Sequence, residues 1–526
     1  MGEGALSRKE NDFELWTPPP QFYLIQLAIF SSVFLSGFDG TVTASTYTVI
    51  GSEFSASNMA SWITTAYLAT STAFQPLYGS FSDVMGRRFC FFLASGFFLV
   101  GCAGCAVASS LLVMNIMRGV TGIGGGGLVT MATIINSDII PFKRRGIYQA
   151  AQNVVHGFGS ICGASLGGAI ASKFGWRLCF WLQVPVIILS IVSGFAFIKN
   201  QHNHDFAKCS LKIDFYGSVT LVSGLLLQLC FLSFGGNIYE WSDPKIVALG
   251  IGSIIMLIVF YIVEERTDAV AVMPIRIIQK KFSLLVLTMN IFLGAAAYTL
   301  LFTLPLFFQI ELHDSPGKAG LRLILPSLCT PIGGLIAGYW MKHTTDLKAL
   351  VRSGCVLMVI GNLLIWNLLS ESFDNWKDFF LLLPANLGQG MAYPGTLFTF
   401  ISAFPLNFQA LTTSTVYLFR SLGTVWGVAA ISAIIQNILT KELTIALEGF
   451  PGRDEILRSV RHSVDEVALL EPNLREVVEK VYSKAISTAF MCSLLFAIGA
   501  LICSSIYNYM PLPQESEEFH ETDPLI

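Results

Sequence analysis

The stretch Gly79–Arg88, "GSFSDVMGRR", places three charged side chains between two long apolar segments. The segments on either side, residues 61–78 and 89–108, contain no Asp, Glu, Lys or Arg. Because a helix needs about 20 mainly apolar residues to span a bilayer, this pattern predicts two membrane spans joined by a short charged loop. Asp83 in such a loop either pairs with a cation as part of a latch between helices, or the charges only set the topology.

The rest of the chain repeats this alternation of apolar spans and short polar loops. Hydrophobic residues make up 53% of the 526 residues and charged residues 13%, against about 25% charged residues in ordinary globular domains. This composition excludes a water-soluble protein of several domains and predicts an all-α integral membrane protein with fourteen transmembrane helices. Their centres lie near residues 36, 70, 99, 124, 159, 187, 225, 255, 296, 330, 359, 390, 424 and 498.

Positive charge is distributed unequally between the two sides of the predicted membrane. If the N-terminus is cytosolic, the short inner loops hold fifteen Lys and Arg residues and the short outer loops hold six. The positive-inside rule then places both termini in the cytosol.

A weak internal repeat organises the spans. "GIGGGGLVTM" in span four is similar to "GQGMAYPGTL" in span twelve, and glycines four apart recur in spans five and thirteen. Two related six-span halves with two inserted spans give a 6+2+6 order, as in secondary transporters. The predicted boundaries are a cytosolic tail (1–20), a first bundle (21–198), an inserted pair with its inner loop (199–266), a second bundle (267–510) with a long outer loop (439–487) of short amphipathic helices, and an acidic cytosolic tail (511–526).

Asp39, Arg118 and Arg420 are charged residues inside predicted spans, and His156 is a fourth ionisable group there. A charge at the bilayer centre costs at least about 2.5–3.5 kcal/mol, so each charge needs a partner or a task. Asp39 is either half of a structural ion pair or a carboxylate that alternates between a proton and a cationic substrate. Arg118 keeps its proton, so we expect it to bias a neighbouring carboxylate or to bind a substrate carboxylate. His156 either fills packing space or joins a proton relay.

Other polar side chains within the spans are candidates for lining a substrate cavity: Gln152, Asn153, Asn290, Asn386, Gln389 and Tyr393. The sequence shows no nucleophile–base pattern and no cluster with metal-ligand spacing, and its "GIGGGG" follows no strand. It also has no basic patch interleaved with aromatic residues. We therefore expect no enzymatic activity, no metal and no nucleic-acid partner.

The opening stretch resembles the signature loop of the major facilitator superfamily at Gly79, Asp83, Gly86, Arg87 and Arg88. It departs from that pattern at Phe81 and Val84, which leaves open the arginine that pairs with Asp83. The segment "SDIIPFKRRG" after span four is similar to the partner segment of this loop. The resemblance implies that Asp138 and Arg145 join the same gating network.

The resemblance extends over residues 22–510 and is to the fourteen-span drug:proton antiporter branch. "SWITTAYLATSTAFQPLYG", "RGVTGIGGGG" and "YLFRSLGTVWGVA" agree with it in order, and it implies that Arg118 takes part in proton coupling. "GSICGASLGG" resembles the span-five antiporter motif, with Ala164 in place of the usual proline and with its glycines at Gly159, Gly163, Gly167 and Gly168. The family implies the major facilitator fold, a monomer in the lipid bilayer, a small-molecule substrate, and a proton gradient as the driving force without a cofactor.

"SDIIPFKRRGIYQAAQNVVHGFG" and "FWLQVPVIILS" most resemble the fungal vacuolar basic amino acid transporters. That resemblance implies antiport of lysine, arginine and histidine into the vacuole. Glu521, Leu525 and Ile526 fit an acidic dileucine signal, which adaptor complexes read when they sort proteins to the vacuole membrane. The alternatives are a plasma-membrane transporter that exports drugs or toxins in exchange for protons, a siderophore exporter or importer and, less in keeping with the short tail, a non-transporting receptor.

Overall fold

The structure is a computed structural model of the chain. It describes residues 18, 20–54, 62–198, 214–235, 239–267, 269, 272–273, 275–314, 318, 322–344, 346–367, 380–405, 408–447, 467 and 470–507. Within these ranges the chain is helical and forms no β-sheet, as the sequence predicts.

The described helices fall into two compact units. The first unit comprises the described residues up to 198 together with 338–344, and the second comprises those of 214–337 and 346–507. The helices of residues 20–198 are α1 (Phe22–Glu53), α2 (Trp62–Met85), α3 (Arg87–Ala106), α4 (Leu111–Ile139), α5 (Phe142–Phe174), α6 (Arg177–Trp181) and α7 (Gln183–Phe197).

The remaining helices begin with the predicted inserted pair, which the division assigns to the second unit. They are α8 (Phe215–Phe234), α9 (Pro244–Arg266), α10 (Ile275–Ile278), α11 (Lys281–Glu311), α12 (Ile324–His343), α13 (Leu347–Asn367), α14 (Leu383–Ile401), α15 (Gln409–Ala446) and α16 (Pro472–Ile506).

Eleven candidate membrane spans are long and apolar enough by length and composition among the described residues. The consecutive α6 and α7 form one of these candidates, Arg177–Phe197. The long helices α2, α5 and α14 fall outside the eleven, and each is rich in small or polar residues such as Gly, Ser and Thr that lower its hydropathy. Such small residues suit helices that pack on other helices rather than on lipid. The chain is therefore a multi-pass membrane protein, and the count of fourteen spans stays a prediction.

Local sequence explains several helix ends. Ser110, Asp214 and Asp243 each cap the helix that follows by accepting a backbone N–H with the side chain. Gly86 separates α2 from α3 with a φ of 89°, a left-handed conformation that glycine adopts without strain. The tight break after Asp83 therefore depends on that glycine.

The predicted internal repeat appears in the packing of each unit taken by itself. In the first unit α1 packs on α5 and α3 packs on α4, and in the second α11 packs on α15 and α13 packs on α14. These are the first and fifth, and the third and fourth, spans of each predicted half. The two halves thus use the same helix pairs to form their cores.

The connection at residues 439–487, which the sequence predicts to be a long outer loop, differs from that prediction. Helix α15 continues to Ala446 and α16 already begins at Pro472, so both ends of this segment prolong long helices. Leu439, Leu443, Val478 and Tyr482 are buried in one apolar cluster with Phe308 of α11. Residues 448–466, where the prediction placed further amphipathic helices, lie outside the described ranges.

Candidate functional site

Asp39 of α1 and Arg118 of α4 form an ion pair inside the first unit. Arg118 Nη1 lies 2.6 Å from Asp39 Oδ2, and both side chains are completely buried. The two residues are 79 positions apart in sequence, so the pair exists only because α1 and α4 pack together. In a low-dielectric interior each charge is tolerated because the other is present.

Gln183 of α7 completes the coordination of Asp39. Its Nε2 donates to Asp39 Oδ1 at 3.2 Å and to the Cys179 carbonyl at 3.2 Å, and its Oε1 accepts from Cys102 Sγ at 3.6 Å. Both carboxylate oxygens of Asp39 are thus hydrogen-bonded. Sequence reasoning missed Gln183, although a lone amide in the apolar run "CFWLQVPVIIL" was the available signal.

Arg118 is held by aromatic rings and a backbone oxygen. Its Nε donates to the Ile63 carbonyl at 3.1 Å, and its guanidinium carbon lies 4.5 Å from the ring centroid of Tyr67 and 5.9 Å from that of Phe180. Among the described residues, Nη2 of Arg118 has no hydrogen-bond partner. A buried guanidinium with an unpartnered N–H group retains the capacity to bind one further acceptor.

Close helix contacts fix the part of α1 that carries Asp39. A Cβ at Gly37 would lie 2.2 Å from the His156 carbonyl oxygen, and Cβ atoms at Gly159 and Gly163 would lie 2.3 Å from the carbonyl oxygens of Phe34 and Phe38. Only glycine permits backbones to approach this closely. Gly159 and Gly163 of the predicted antiporter motif therefore seat α5 against the part of α1 that directly precedes Asp39.

His156 contributes its backbone carbonyl to this contact. Its carbonyl meets Gly37 and accepts from Ser160 Oγ at 3.0 Å. Within the described ranges no hydrogen bond joins the His156 ring to Asp39 or Arg118. The structure brings Asp39 and Arg118 together, and a part for His156 in a proton relay stays a prediction.

Arg420 has the position in the second unit that His156 has in the first. A Cβ at Gly294 of α11 would lie 2.4 Å from the Arg420 carbonyl, just as Gly37 meets that of His156. The Arg420 guanidinium donates to Asn290 Oδ1 at 2.9 Å and to the Tyr393 carbonyl at 2.9 Å, and it stacks 4.2 Å from the Tyr393 ring. None of the ion pairs between described residues includes Arg420, so its partners here are neutral.

The predicted cavity residues separate into groups. Asn290 and Tyr393 surround Arg420, with Gln389 half-buried one turn before Tyr393. Gln152 is buried in the first unit, where it accepts from Thr133 Oγ1 at 3.3 Å, and Asn153 is half-buried beside it. Asn386 bonds to the Leu382 carbonyl of its own helix, which leaves it no evident part in these groups.

The stretch Gly79–Arg88 forms a compact ion-pair network with Asp138. Arg87 donates through Nη1 to Asp83 Oδ1 at 2.6 Å and through Nε to Asp138 Oδ2 at 2.8 Å. One guanidinium therefore ties α2, α3 and the end of α4 together. Gly79 is buried one turn earlier, where its carbonyl accepts from Ser82 Oγ.

The structure answers the question of which arginine pairs with Asp83. Arg87 does so, while Arg88 donates to the Phe195 carbonyl at 3.0 Å and stacks 4.5 Å from the Phe195 ring. Arg145 donates to the Ile140 carbonyl at 2.7 Å, which closes the turn between α4 and α5. Arg88 and Arg145 thus bind backbone carbonyls next to the network.

The remaining predicted site residues are the last two glycines of the antiporter motif and the sorting signal. The Gly167 carbonyl accepts from Cys179 Sγ at 3.5 Å, and Gly168 is half-buried. Glu521, Leu525 and Ile526 lie outside the described residues, so the sorting signal stays a prediction. No group of three or more His, Cys, Asp and Glu residues suited to a metal ion occurs among the described residues.

Comparison with known proteins places these features in a family. The model of the Major Facilitator Superfamily matches residues 29–428. "Vacuolar basic amino acid transporter 2" of Saccharomyces cerevisiae is 43% identical, with 87% of this chain and 99% of that protein aligned. "Multidrug resistance protein fnx1" of Schizosaccharomyces pombe is 34% identical over 95% of this chain and 94% of its own. The crystal structure of the human organic anion transporter MFSD10 shares the fold with a TM-score of 0.56 at 15% identity, covering 91% of this chain and all of its own.

Proposed function

The chain belongs to the major facilitator superfamily, and on that premise we propose that this membrane transporter exchanges protons for basic amino acids such as lysine, arginine and histidine, moving them from the cytosol into the vacuole. The observation that carries the proposal is the buried Asp39–Arg118 pair with its Gln183 contact. The 43% identity to a vacuolar basic amino acid transporter supports the substrate class and the compartment.

The chemistry follows from the charge balance of this pair. With Asp39 ionised, the negative and positive charges compensate each other in a site that water does not reach. Protonation of Asp39 would leave Arg118 uncompensated, so the proton can stay only if the helices rearrange or an anionic group arrives. A zwitterionic amino acid with a cationic side chain offers a carboxylate for the free Arg118 Nη2 and a cation for Asp39. Proton and substrate thereby compete for one carboxylate, which is the requirement for antiport.

In the proposal, Arg420 of the second unit also acts on the substrate. Its charge is permanent and its described partners are neutral oxygens and aromatic rings. We assign it to attract the substrate carboxylate during the cycle. The proton gradient alone drives this cycle in the proposal, without a bound cofactor and with the monomer as the working unit.

The direct test uses purified protein in vesicles with an acidic interior and labelled lysine, arginine or histidine outside. Uptake that rises with the imposed pH gradient and collapses with a protonophore supports the proposal. No difference from empty vesicles for any of the three amino acids would refute it. Asp243→Asn, which changes a cap of α9 far along the chain from Asp39, is the matched control for loss of one carboxylate.

A second candidate is plasma-membrane efflux of drugs or toxins, which the 34% identity to a multidrug resistance protein favours. It predicts surface localisation, drug sensitivity on deletion and unchanged vacuolar amino acids. Tagged protein with Leu525 and Ile526 changed to Ala separates the two. Rerouting of a vacuolar protein to the cell surface supports the vacuolar proposal and the adaptor complex as partner, while a surface protein that does not move favours efflux.

A further inference from the structure

Two carboxylates, Asp214 and Glu264, lie together at one end of the helix pair α8–α9. Asp214 caps α8 and Glu264 sits in the last turn of α9, with exposed fractions of only 4% and 6%. The Glu264 carboxyl is within hydrogen-bonding reach of Asp214. Neither residue belongs to the Asp39 or Arg420 groups.

Asp214 binds one backbone amide, and Glu264 is hydrogen-bonded to the backbone of Met273 and of Val272. Asp214 Oδ1 accepts from the Gly217 N–H at 2.8 Å, and Glu264 Oε1 accepts from the Met273 N–H at 2.6 Å. The bond between Met273 and Glu264 is a tertiary contact, because it holds the segment before α10 against the end of α9. The pair therefore joins three parts of the chain.

The other oxygen of each carboxylate has no donor. Asp214 Oδ2 and Glu264 Oε2 are buried and unpartnered within the described residues. Both line the same small space beside Gly217, since a Cβ there would lie 2.4 Å from Asp214 Oδ2 and 2.9 Å from Glu264 Oε2. Two acceptors that face each other without a donor repel, and the repulsion is strong where water is excluded.

Among the side chains that the structure describes, no cation forms an ion pair with Asp214 or Glu264. The charged side chains on the adjoining described segments, Glu265, Arg266, Lys280 and Lys281, are exposed and form none of the ion pairs of the described chain. On α15, which also packs on α8, Arg420 is bonded to Asn290, and Lys441 and Glu442 lie near the C-terminal end of the helix. Among ionisable groups, Asp214 is the one that acts on Glu264.

We propose that Asp214 and Glu264 share one proton, so that this end of the helix pair is a proton-binding site which fastens the segment around Met273. A proton fits because it needs two oxygens and almost no volume, whereas a calcium ion requires about six to eight oxygen ligands. The hydrogen bond from a carboxylic acid hydroxyl to a carboxylate is short and strong, and a single such bond satisfies both free oxygens. This site is independent of the proposed substrate and of Asp39.

The sign of the pH effect follows from proton counting. Above about pH 4.5 the unfolded chain carries both carboxylates ionised, while the folded pair still holds one proton. Raising the pH therefore removes stability from the fastened state. Once the shared proton is lost, two buried negative charges disfavour the contact and the Met273 amide is released.

Hydrogen exchange of the peptide that contains Met273 measures this release in the purified full-length protein, with a chelator present. After correction for intrinsic exchange, wild-type protection falls by up to about tenfold per pH unit above the midpoint of the pair, as expected for loss of one proton. Glu264→Gln keeps the Met273 bond and offers an N–H to Asp214, so its protection stays constant. Asp214→Asn retains the helix cap and offers an N–H to Glu264, and it gives the same result if the first variant folds poorly.

Glu265→Gln is the matched control, because it removes the same charge from the exposed neighbouring residue. It must retain the wild-type pH dependence. Parallel curves for the wild type and both amide variants would overturn the proposal, as would a Glu265→Gln curve that is flat. Protection that follows sodium or calcium concentration rather than pH would assign the site to a metal cation and equally overturn the shared proton.

Discussion

Arg118 Nη1 lies 2.6 Å from Asp39 Oδ2, and neither side chain is exposed to solvent. This contact converts two costly charges in apolar helices into one neutral pair. It also means that any change in the protonation of Asp39 must be felt by Arg118, because the two groups share one dry site.

Removing Arg118 leaves Asp39 buried without a counter-charge. We expect Arg118→Ala to lower the free energy of unfolding by about 3–5 kcal/mol, since breaking one side of a buried pair has that cost. Thermal unfolding of the detergent-solubilised protein measures it. Lys480→Ala, which breaks the exposed Lys480–Glu476 pair, should cause no measurable change. An Arg118→Ala protein as stable as this control would show that the Asp39–Arg118 pair does not hold the helices.

The glycine contact between α1 and α5 predicts a position-specific packing effect. A Cβ at Gly163 would lie 2.3 Å from the Phe38 carbonyl, so Gly163→Ala must push the helices apart at a cost of about 1–3 kcal/mol. Gly96→Ala in α3 is the control, because nothing lies within 4 Å of a Cβ there. Thermal unfolding should separate the two variants. Equal unfolding temperatures would contradict close packing at Gly163.

The sequence alone identifies the charged residues inside the helices, but it does not identify their partners. Asp39 and Arg118 could each be selected because a charge in an apolar span is expensive, but their pairing depends on the packing of α1 on α4. Gln183 was overlooked because a single amide costs less than a charge. Its role appears only when α7 is placed beside α1.

Residues near the ends of helices were the least predictable. Asp214 and Glu264 lie where polar residues are ordinary, so nothing in the sequence marked them as a buried pair. Arg87 and Arg88 are adjacent and chemically identical, and only the turn at Gly86 directs the first towards Asp83 and the second towards Phe195. The predicted fold class is confirmed because it depends on the hydrophobic pattern, and equivalent helix pairs pack in each unit as the recurring glycine motifs predict.

The network at the start of α3 predicts unequal roles for its two arginines. Arg87→Ala removes the ion pairs of both Asp83 and Asp138, whereas Arg88→Ala removes one carbonyl bond and a ring contact. We expect the initial rate of amino-acid uptake in vesicles to fall at least about tenfold for Arg87→Ala, as for a loss of 1.4 kcal/mol or more, and much less for Arg88→Ala. Rates normalised to the inserted protein provide the comparison. Equal losses in the two variants would mean that the Asp83–Arg87–Asp138 network has no special role.

Glu53, Trp176 and Arg177 form a polar cluster at the end of α1 with a predictable response to acid. Glu53 accepts from Arg177 Nη1 at 2.6 Å and from Trp176 Nε1 at 2.6 Å, and these bonds, led by that from Arg177, lower the pKa of Glu53. A lowered pKa stabilises the fold above the unfolded value of about 4.3, and this stabilisation is lost as the pH falls through the folded pKa. The cluster should therefore stay intact in a mildly acidic compartment.

The measurement compares the unfolding temperatures of the wild type and Glu53→Gln across pH. Their difference should be constant from about pH 7 to about pH 5 and should shrink only below about pH 4.5. Glu240→Gln, at an exposed carboxylate outside this cluster, provides the control for a change of net charge. A difference that already shrinks between pH 7 and 5 would contradict the lowered pKa.

The central claim is that Asp39 couples the proton to the substrate. Labelled lysine uptake into vesicles with an imposed pH gradient, measured for the wild type, Asp39→Asn and the control Asp243→Asn, tests it most directly. We predict that the wild type and Asp243→Asn accumulate lysine in proportion to the gradient, and that Asp39→Asn gives no gradient-driven accumulation while remaining monodisperse and inserted. Full gradient-driven accumulation by Asp39→Asn would contradict the account and leave the buried carboxylate as a structural residue.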